Sequence, residues 1–85
     1  MRWAVAVEEN RADGWRLSYL RRFARSTAAR ADARRMAHEH RPEQPSAPRG
    51  RTVLRREDDT FLVQVEGRSQ DFCFRVQVWE IDPVP

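Results

Sequence analysis

Arginine is the residue type of this chain that is best suited to binding chemistry. The chain has 85 residues, and all 16 of its Lys and Arg positions are arginine. A guanidinium group presents a planar fork of N–H donors that matches the oxygens of a phosphate or a carboxylate. A chain rich in arginine and alanine and free of lysine is also typical of a GC-rich bacterial genome. Composition alone therefore leaves a genomic and a functional explanation open.

The arginines are concentrated in the first half of the chain. Residues 1–41 hold ten arginines and five acidic residues, whereas residues 42–85 hold six arginines and eight acidic residues. The segment 16–35 contains seven arginines and a single acid, Asp32. Such a basic segment favours binding to DNA or RNA, or to an acidic protein surface. The nucleic-acid contacts are predicted to come from Arg21, Arg22, Arg25, Arg30 and Arg34.

A second candidate surface lies near the C-terminal end. Arg75, Gln77 and Trp79 alternate along a predicted strand, so they share one face of it. An exposed aromatic ring beside a guanidinium can stack a base and contact its phosphate, and Arg75 and Trp79 therefore complete the predicted nucleic-acid site. The alternative is a protein-interaction module or homodimer in which Trp79 and Leu62 fill the interface.

No catalytic residues, metal or cofactor are expected. His38 and His40 are two residues apart on a predicted helix and point in nearly opposite directions, which excludes a shared metal ion. Cys73 is the only cysteine and lies between two phenylalanines, so we interpret it as a packing residue. Phosphate-binding and nucleophile motifs are absent from the sequence, and the chain is predicted not to be an enzyme.

The first elements are a strand and an ambiguous segment. Large and small apolar residues alternate over residues 2–9, which predicts a strand. Residues 15–24 fit either a second strand or the start of one long helix over 15–40; alternating aromatics favour the strand. Its predicted core face carries Trp15, Leu17, Tyr19 and Phe23. A loop with an odd number of residues is then needed to bring Leu17 and Tyr19 beside the valines of the first strand.

An alanine-rich helix is predicted over Ser26–His40, with Ser26 or Thr27 as its N-cap and Pro42 ending it. Its apolar stripe consists of Ala29, Ala33, Met36 and His40. Residues 41–50 carry a proline at every third position, from Pro42 to Pro48. This spacing is typical of a stiff connector between the two halves of the chain.

Three strands are predicted after the connector, over residues 52–56, 61–65 and 72–78. A two-residue turn at Asp58 and Asp59 joins the first pair. A four-residue loop joins the second pair and sets its register, with 61 opposite 76, 63 opposite 74 and 65 opposite 72. That register places all six apolar side chains on one face.

These elements predict an α+β fold with a single domain over residues 1–85. The sheet is antiparallel, has four to five strands and carries one helix on one face, in the order ββαβββ; the alternative with the long helix is βαβββ. The longest apolar run near the N-terminus, Trp3–Val7, is too short to cross a membrane, which favours the cytoplasm. We expect a small non-enzymatic binding module whose partner is DNA or RNA, an acidic protein or a second copy.

Overall fold

Alternating apolar residues form five strands in the computed structural model, which describes residues 1–84. The elements are β1 (Trp3–Arg11), β2 (Gly14–Phe23), α1 (Ser26–Glu39), β3 (Gly50–Arg56), β4 (Thr60–Glu66) and β5 (Phe72–Glu80). The strands build one antiparallel sheet in the order β2-β1-β5-β4-β3, and α1 packs against one face of it. This confirms the predicted α+β class and the ββαβββ order. The alternative long helix over 15–40 is wrong, because residues 14–23 are a strand.

The core lies between α1 and the sheet face that it covers. The fully buried side chains of the sheet are Val5, Val7, Phe61, Val63, Val65, Phe74 and Val76. The helix contributes Ala29, Ala33 and Ala37, each with no exposed surface, together with Met36. Small side chains on this stripe allow the helix to lie close to the sheet. The predicted stripe is confirmed, and His40 extends it by packing edge-on against Phe74 at 5.0 Å between ring centroids.

The predicted register between β4 and β5 is confirmed. Phe61 lies opposite Val76, Val63 opposite Phe74 and Val65 opposite Phe72. Loop length and apolar alternation are both local properties of the sequence, and they agree here on one pairing.

The predicted connection between β1 and β2 is wrong. The loop has two residues, Ala12 and Asp13, because Arg11 pairs with Gly14. The expected opposition of Val7 and Tyr19 still occurs, because the register shifts between Val7 and Glu8 at a β-bulge in which Ser18 is the extra residue of β2. Beyond the bulge, Leu17 pairs with Glu8 and leaves the core face to which the sequence assigned it.

Two further details differ from the prediction. The loop between β3 and β4 has three residues, since Arg56 pairs with Thr60, and Glu57 adopts a left-handed φ of 57° within it. The helix begins at Ser26, but no side chain caps its N-terminus, because Arg25 takes the extended N-cap position. The helix ends at Glu39, one residue earlier than predicted.

Candidate binding surfaces

The sheet face that points away from α1 is only partly filled by its own side chains. We call this surface the open face. Strand pairing arranges it in four rows: Arg22–Ala4–Trp79; Leu20–Ala6–Gln77–Thr60–Arg56; Leu17–Glu8–Arg75–Leu62–Leu54; and Trp15–Asn10–Cys73–Gln64–Thr52. Six large apolar side chains of these rows are between 38% and 54% exposed, namely Trp15, Leu17, Leu20, Leu54, Leu62 and Trp79. Such a grouping on one face of a small domain makes the open face a candidate interaction surface.

The bulge in β2 creates one corner of the open face. Side chains of a regular strand alternate between the two faces, so Trp15 and Leu17 would lie beside Tyr19 on the helix side. The extra residue Ser18 reverses this alternation, and its hydroxyl donates to the Val7 carbonyl at 3.3 Å. Trp15 and Leu17 are thereby moved to the open face. β-Bulges commonly re-aim side chains near functional surfaces.

The charged groups at the middle of the open face are paired with one another. The Nε of Arg75 donates to the Glu8 carboxylate at 2.9 Å. The same guanidinium lies over the Trp15 ring, with 4.0 Å from its carbon to the ring centroid. Arg75, which the sequence assigned to phosphate contact, is thus occupied by an ion pair and a cation–π contact. Trp79 lies in the first row, separated from Arg22 by the small side chain of Ala4.

The arginines of β2 and α1 lie outside the open face, except Arg22, which is at its rim. Residues 16–41 contain eight arginines, of which only Arg35 makes an ion pair within residues 1–84, with Asp32 at 2.6 Å. Of the other eight arginines, Arg2, Arg11, Arg55 and Arg75 form ion pairs with acidic side chains, and Arg49, Arg51, Arg56 and Arg68 form none within residues 1–84. Seven of the ten arginines in residues 1–41 are thus exposed to solvent and without an ion pair in the described part of the chain. We call these seven the basic surface: Arg16, Arg21, Arg22, Arg25, Arg30, Arg34 and Arg41.

The structure divides the seven residues that the sequence assigned to nucleic acid. Arg21, Arg22 and Arg25 lie at the junction of β2 and α1. Asp32 accepts a hydrogen bond from Tyr19 of β2 at 2.8 Å, so that side of the helix faces β2. At 100° per residue, Arg30 and Arg34 project from the opposite side of the helix, one turn apart. Arg75 and Trp79 lie on the open face of the sheet.

A buried carboxylate on the helix side is a feature that the sequence reasoning missed. Glu9 is only 5% exposed and accepts hydrogen bonds from the Glu43 backbone N–H at 3.1 Å and from Arg11 at 3.2 Å. Its other oxygen lies 3.0 Å from Nε2 of His40. Burial raises the pKa of Glu9, but the hydrogen bonds with His40, with the Glu43 backbone and with Ser18 outweigh it, and the pKa lies below its ordinary value. Glu9 thus ties the end of α1 and the connector to β1.

A second contact secures the same end of the helix. Arg51 of β3 donates to the carbonyls of Ala37 at 2.9 Å and His40 at 2.6 Å, which the last helical turn leaves without backbone donors. A sequence signal for Glu9 existed: it has the same parity as Val5 and Val7, and therefore belongs to the core face of its strand. Nothing in the sequence indicates which groups it meets.

Neither a metal site nor a membrane-spanning helix is found among residues 1–84. Among the described residues, no three His, Cys, Asp or Glu side chains are grouped where they would hold a metal ion. Over residues 1–84, no helix is long and apolar enough to cross a membrane. Comparison of the chain with known protein families, with characterised proteins and with solved structures finds no match.

Proposed function

We propose that this protein is a nucleic-acid-binding module that contacts the phosphate backbone through its basic surface. The observation that supports this most directly is the pairing pattern of the arginines. All seven members of the basic surface are exposed and make no ion pair among residues 1–84. Six of them lie within residues 21–41, and Arg16 lies earlier in β2. Uncompensated guanidinium groups attract polyanions and form bidentate contacts with phosphate oxygens.

The placement of these arginines suits an extended ligand better than a compact one. Arg25 directly precedes the helix, and Arg30 follows about 6 Å along the helix axis from Ser26. Arg34 lies another 6 Å further, on the same side of the helix as Arg30. Two guanidinium groups spaced in this way fit neighbouring phosphates of one backbone. Contacts to phosphates carry no sequence information directly, so the proposed binding is governed by charge rather than by sequence.

Two pairs of arginines test this surface without touching the core. The variants Arg30→Glu/Arg34→Glu and Arg22→Glu/Arg25→Glu each reverse two exposed charges. The matched control is Arg56→Glu/Arg68→Glu, since both residues are exposed and without an ion pair within residues 1–84, but lie outside β2 and α1. Each double variant lowers the net charge of +3 by four, so the three differ only in where the charge is removed.

Fluorescence anisotropy with labelled single- and double-stranded DNA and RNA of about 20 nucleotides measures the binding, at about 50 and 200 mM salt. We expect wild-type affinity in the micromolar range that weakens steeply with salt. Each of the two test variants should lose about tenfold or more in affinity, and its salt slope should fall by about two. Absence of wild-type binding at the lower salt concentration, or equal losses in the control, would refute the proposal.

A further inference from the structure

We infer that the open face is the interface of a symmetric dimer with a second copy of this chain. This inference goes beyond nucleic-acid binding and rests on a different surface. The helix covers one side of the sheet, whereas the six large apolar side chains of the open face stay between 38% and 54% exposed. In a two-fold contact the same patch serves both partners, so the patch must be complementary to itself. Apolar side chains and charges that are already paired within one chain satisfy this condition.

The charge pattern of the open face meets that requirement. At its middle, the carboxylate of Glu8 is already paired with Arg75, whose guanidinium is also stacked on Trp15. The arginines without an ion pair, Arg22 and Arg56, lie at the two ends of their rows, on the outer strands β2 and β3. Charges at the rim of an interface stay solvated. The middle of the face therefore holds no unpaired charge, and a second copy can pack against it without bringing uncompensated like charges together.

The dimensions of the face suit a stable dimer. Each residue of the face occupies about 4.8 Å across the strands and about 6.8 Å along them, which is about 33 Å². The 18 residues of the four rows thus cover a flat projection of about 590 Å², and the accessible area of protruding side chains exceeds it. A specific interface buries about 800 Å² on each partner. The open face therefore provides close to the whole area that a dimer of this small chain needs.

The bulge at Ser18 supports the same inference. Without it, Trp15 and Leu17 would point to the helix side, and the patch would lose two of its six large apolar members. The backbone irregularity thus enlarges the exposed apolar surface, which would be unfavourable for a chain that remains a monomer. A dimer interface gives this arrangement a physical reason, because the two side chains are then removed from water.

The oligomeric state tests the inference directly. Sedimentation equilibrium or light scattering on the nucleic-acid-free protein at about 100 μM should give twice the 10.1 kDa mass of the chain. The variants Leu20→Glu and Leu62→Glu place a carboxylate within the face and should sediment as monomers. Val84→Glu is the matched control, since Val84 is 92% exposed and lies outside the four rows, and it should remain a dimer.

Further measurements on the same variants distinguish loss of the dimer from misfolding and from nucleic-acid binding at the open face. Both replaced leucines are partly exposed, so the far-ultraviolet circular dichroism of the variants should match wild type. Arg30→Glu/Arg34→Glu should remain dimeric, which distinguishes this interface from the basic surface. A wild-type chain that is monomeric at about 100 μM would overturn the inference. If the wild-type chain is monomeric and oligonucleotides quench the fluorescence of a variant in which Trp79 is the only tryptophan, the open face binds nucleic acid instead of a second copy.

Discussion

At the scale of single residues, Glu9 shows how a charged side chain becomes part of the core. Its carboxylate is buried beside Phe74 and the last turn of α1, and it accepts hydrogen bonds from Arg11 and from the Glu43 backbone while it faces His40. A buried carboxylate is tolerated only when such partners replace water. Because these partners come from β1, the end of the helix and the connector, one side chain joins three segments.

Replacement of Glu9 by glutamine should lower the free energy of unfolding by about 2 kcal/mol at neutral pH, because charged hydrogen bonds are lost. The pKa of Glu9 in the folded state lies below its ordinary value of 4.5. Its contribution is therefore complete above pH 4.5 and is lost as the pH falls through the folded-state pKa. Urea unfolding between about pH 6 and pH 3 should show this acid-induced loss in wild type and a smaller one in Glu9→Gln.

The control for this titration is Glu39→Gln, because Glu39 is exposed and makes no ion pair within residues 1–84. It should keep the stability and the acid response of wild type. If the pH dependence of Glu9→Gln and wild type coincide, the carboxylate does not contribute through its ionisation.

At the scale of elements, the hairpin of β1 and β2 depends on two local features that act together. A two-residue turn at Ala12 and Asp13 leads into Gly14, whose φ of 120° is a conformation that residues with a Cβ rarely adopt. The bulge at Ser18 then restores the pairing of Val7 with Tyr19. The turn determines the register near the tip, and the bulge determines it near the core.

Gly14→Ala should therefore lower the free energy of unfolding by about 1 to 2 kcal/mol, because of backbone strain rather than crowding. No heavy atom lies within 4 Å of the position that its Cβ would take. Gly50→Ala is the matched control, since its φ lies outside the left-handed region and its Cβ would meet Glu66 at an ordinary 3.6 Å. Thermal unfolding of both variants measures the difference; equal destabilisation would contradict this account of Gly14.

At the scale of the whole molecule, one helix on a five-stranded sheet leaves two exposed surfaces of different chemistry. The open face exposes six large apolar side chains and its central charges are paired, whereas the arginines of the basic surface make no ion pair within residues 1–84. In the proposed dimer the two sheets meet, and both helices point outward with Arg30 and Arg34 exposed. Self-association and nucleic-acid binding would then use different sides of each protomer, which meet only at Arg22 on the rim of the open face.

Dimer formation also predicts how heat stability responds to concentration. A contact that forms only between folded chains stabilises them by mass action. The thermal midpoint of wild type should therefore rise by about 4 °C for a tenfold increase in protein concentration. Differential scanning calorimetry of Leu62→Glu should show a midpoint independent of concentration. A wild-type midpoint that does not move would argue against dimerisation in the folded state.

The sequence by itself determined the elements and much of their pairing. Alternation of period two predicts β1, β4 and β5, and the alanine-rich stripe predicts α1, because each pattern depends on residues close together in the chain. The register of β4 against β5 follows from one short loop and two alternating segments. The concentration of arginine in residues 16–35 was also evident, and with it the location of the basic surface in the chain.

Only the tertiary structure decided which groups meet. Glu8 and Arg75 are 67 residues apart, and Glu9 and His40 are 31 residues apart, so no local pattern links them. The bulge at Ser18 reverses the face on which Trp15 and Leu17 lie. It arises from the pairing of β2 with β1, and the alternation of residues within β2 gives no sign of it. These long-range contacts determine on which side of the molecule the arginines and the exposed leucines lie. For that reason, the separation of the apolar open face from the basic surface became visible only in the folded chain.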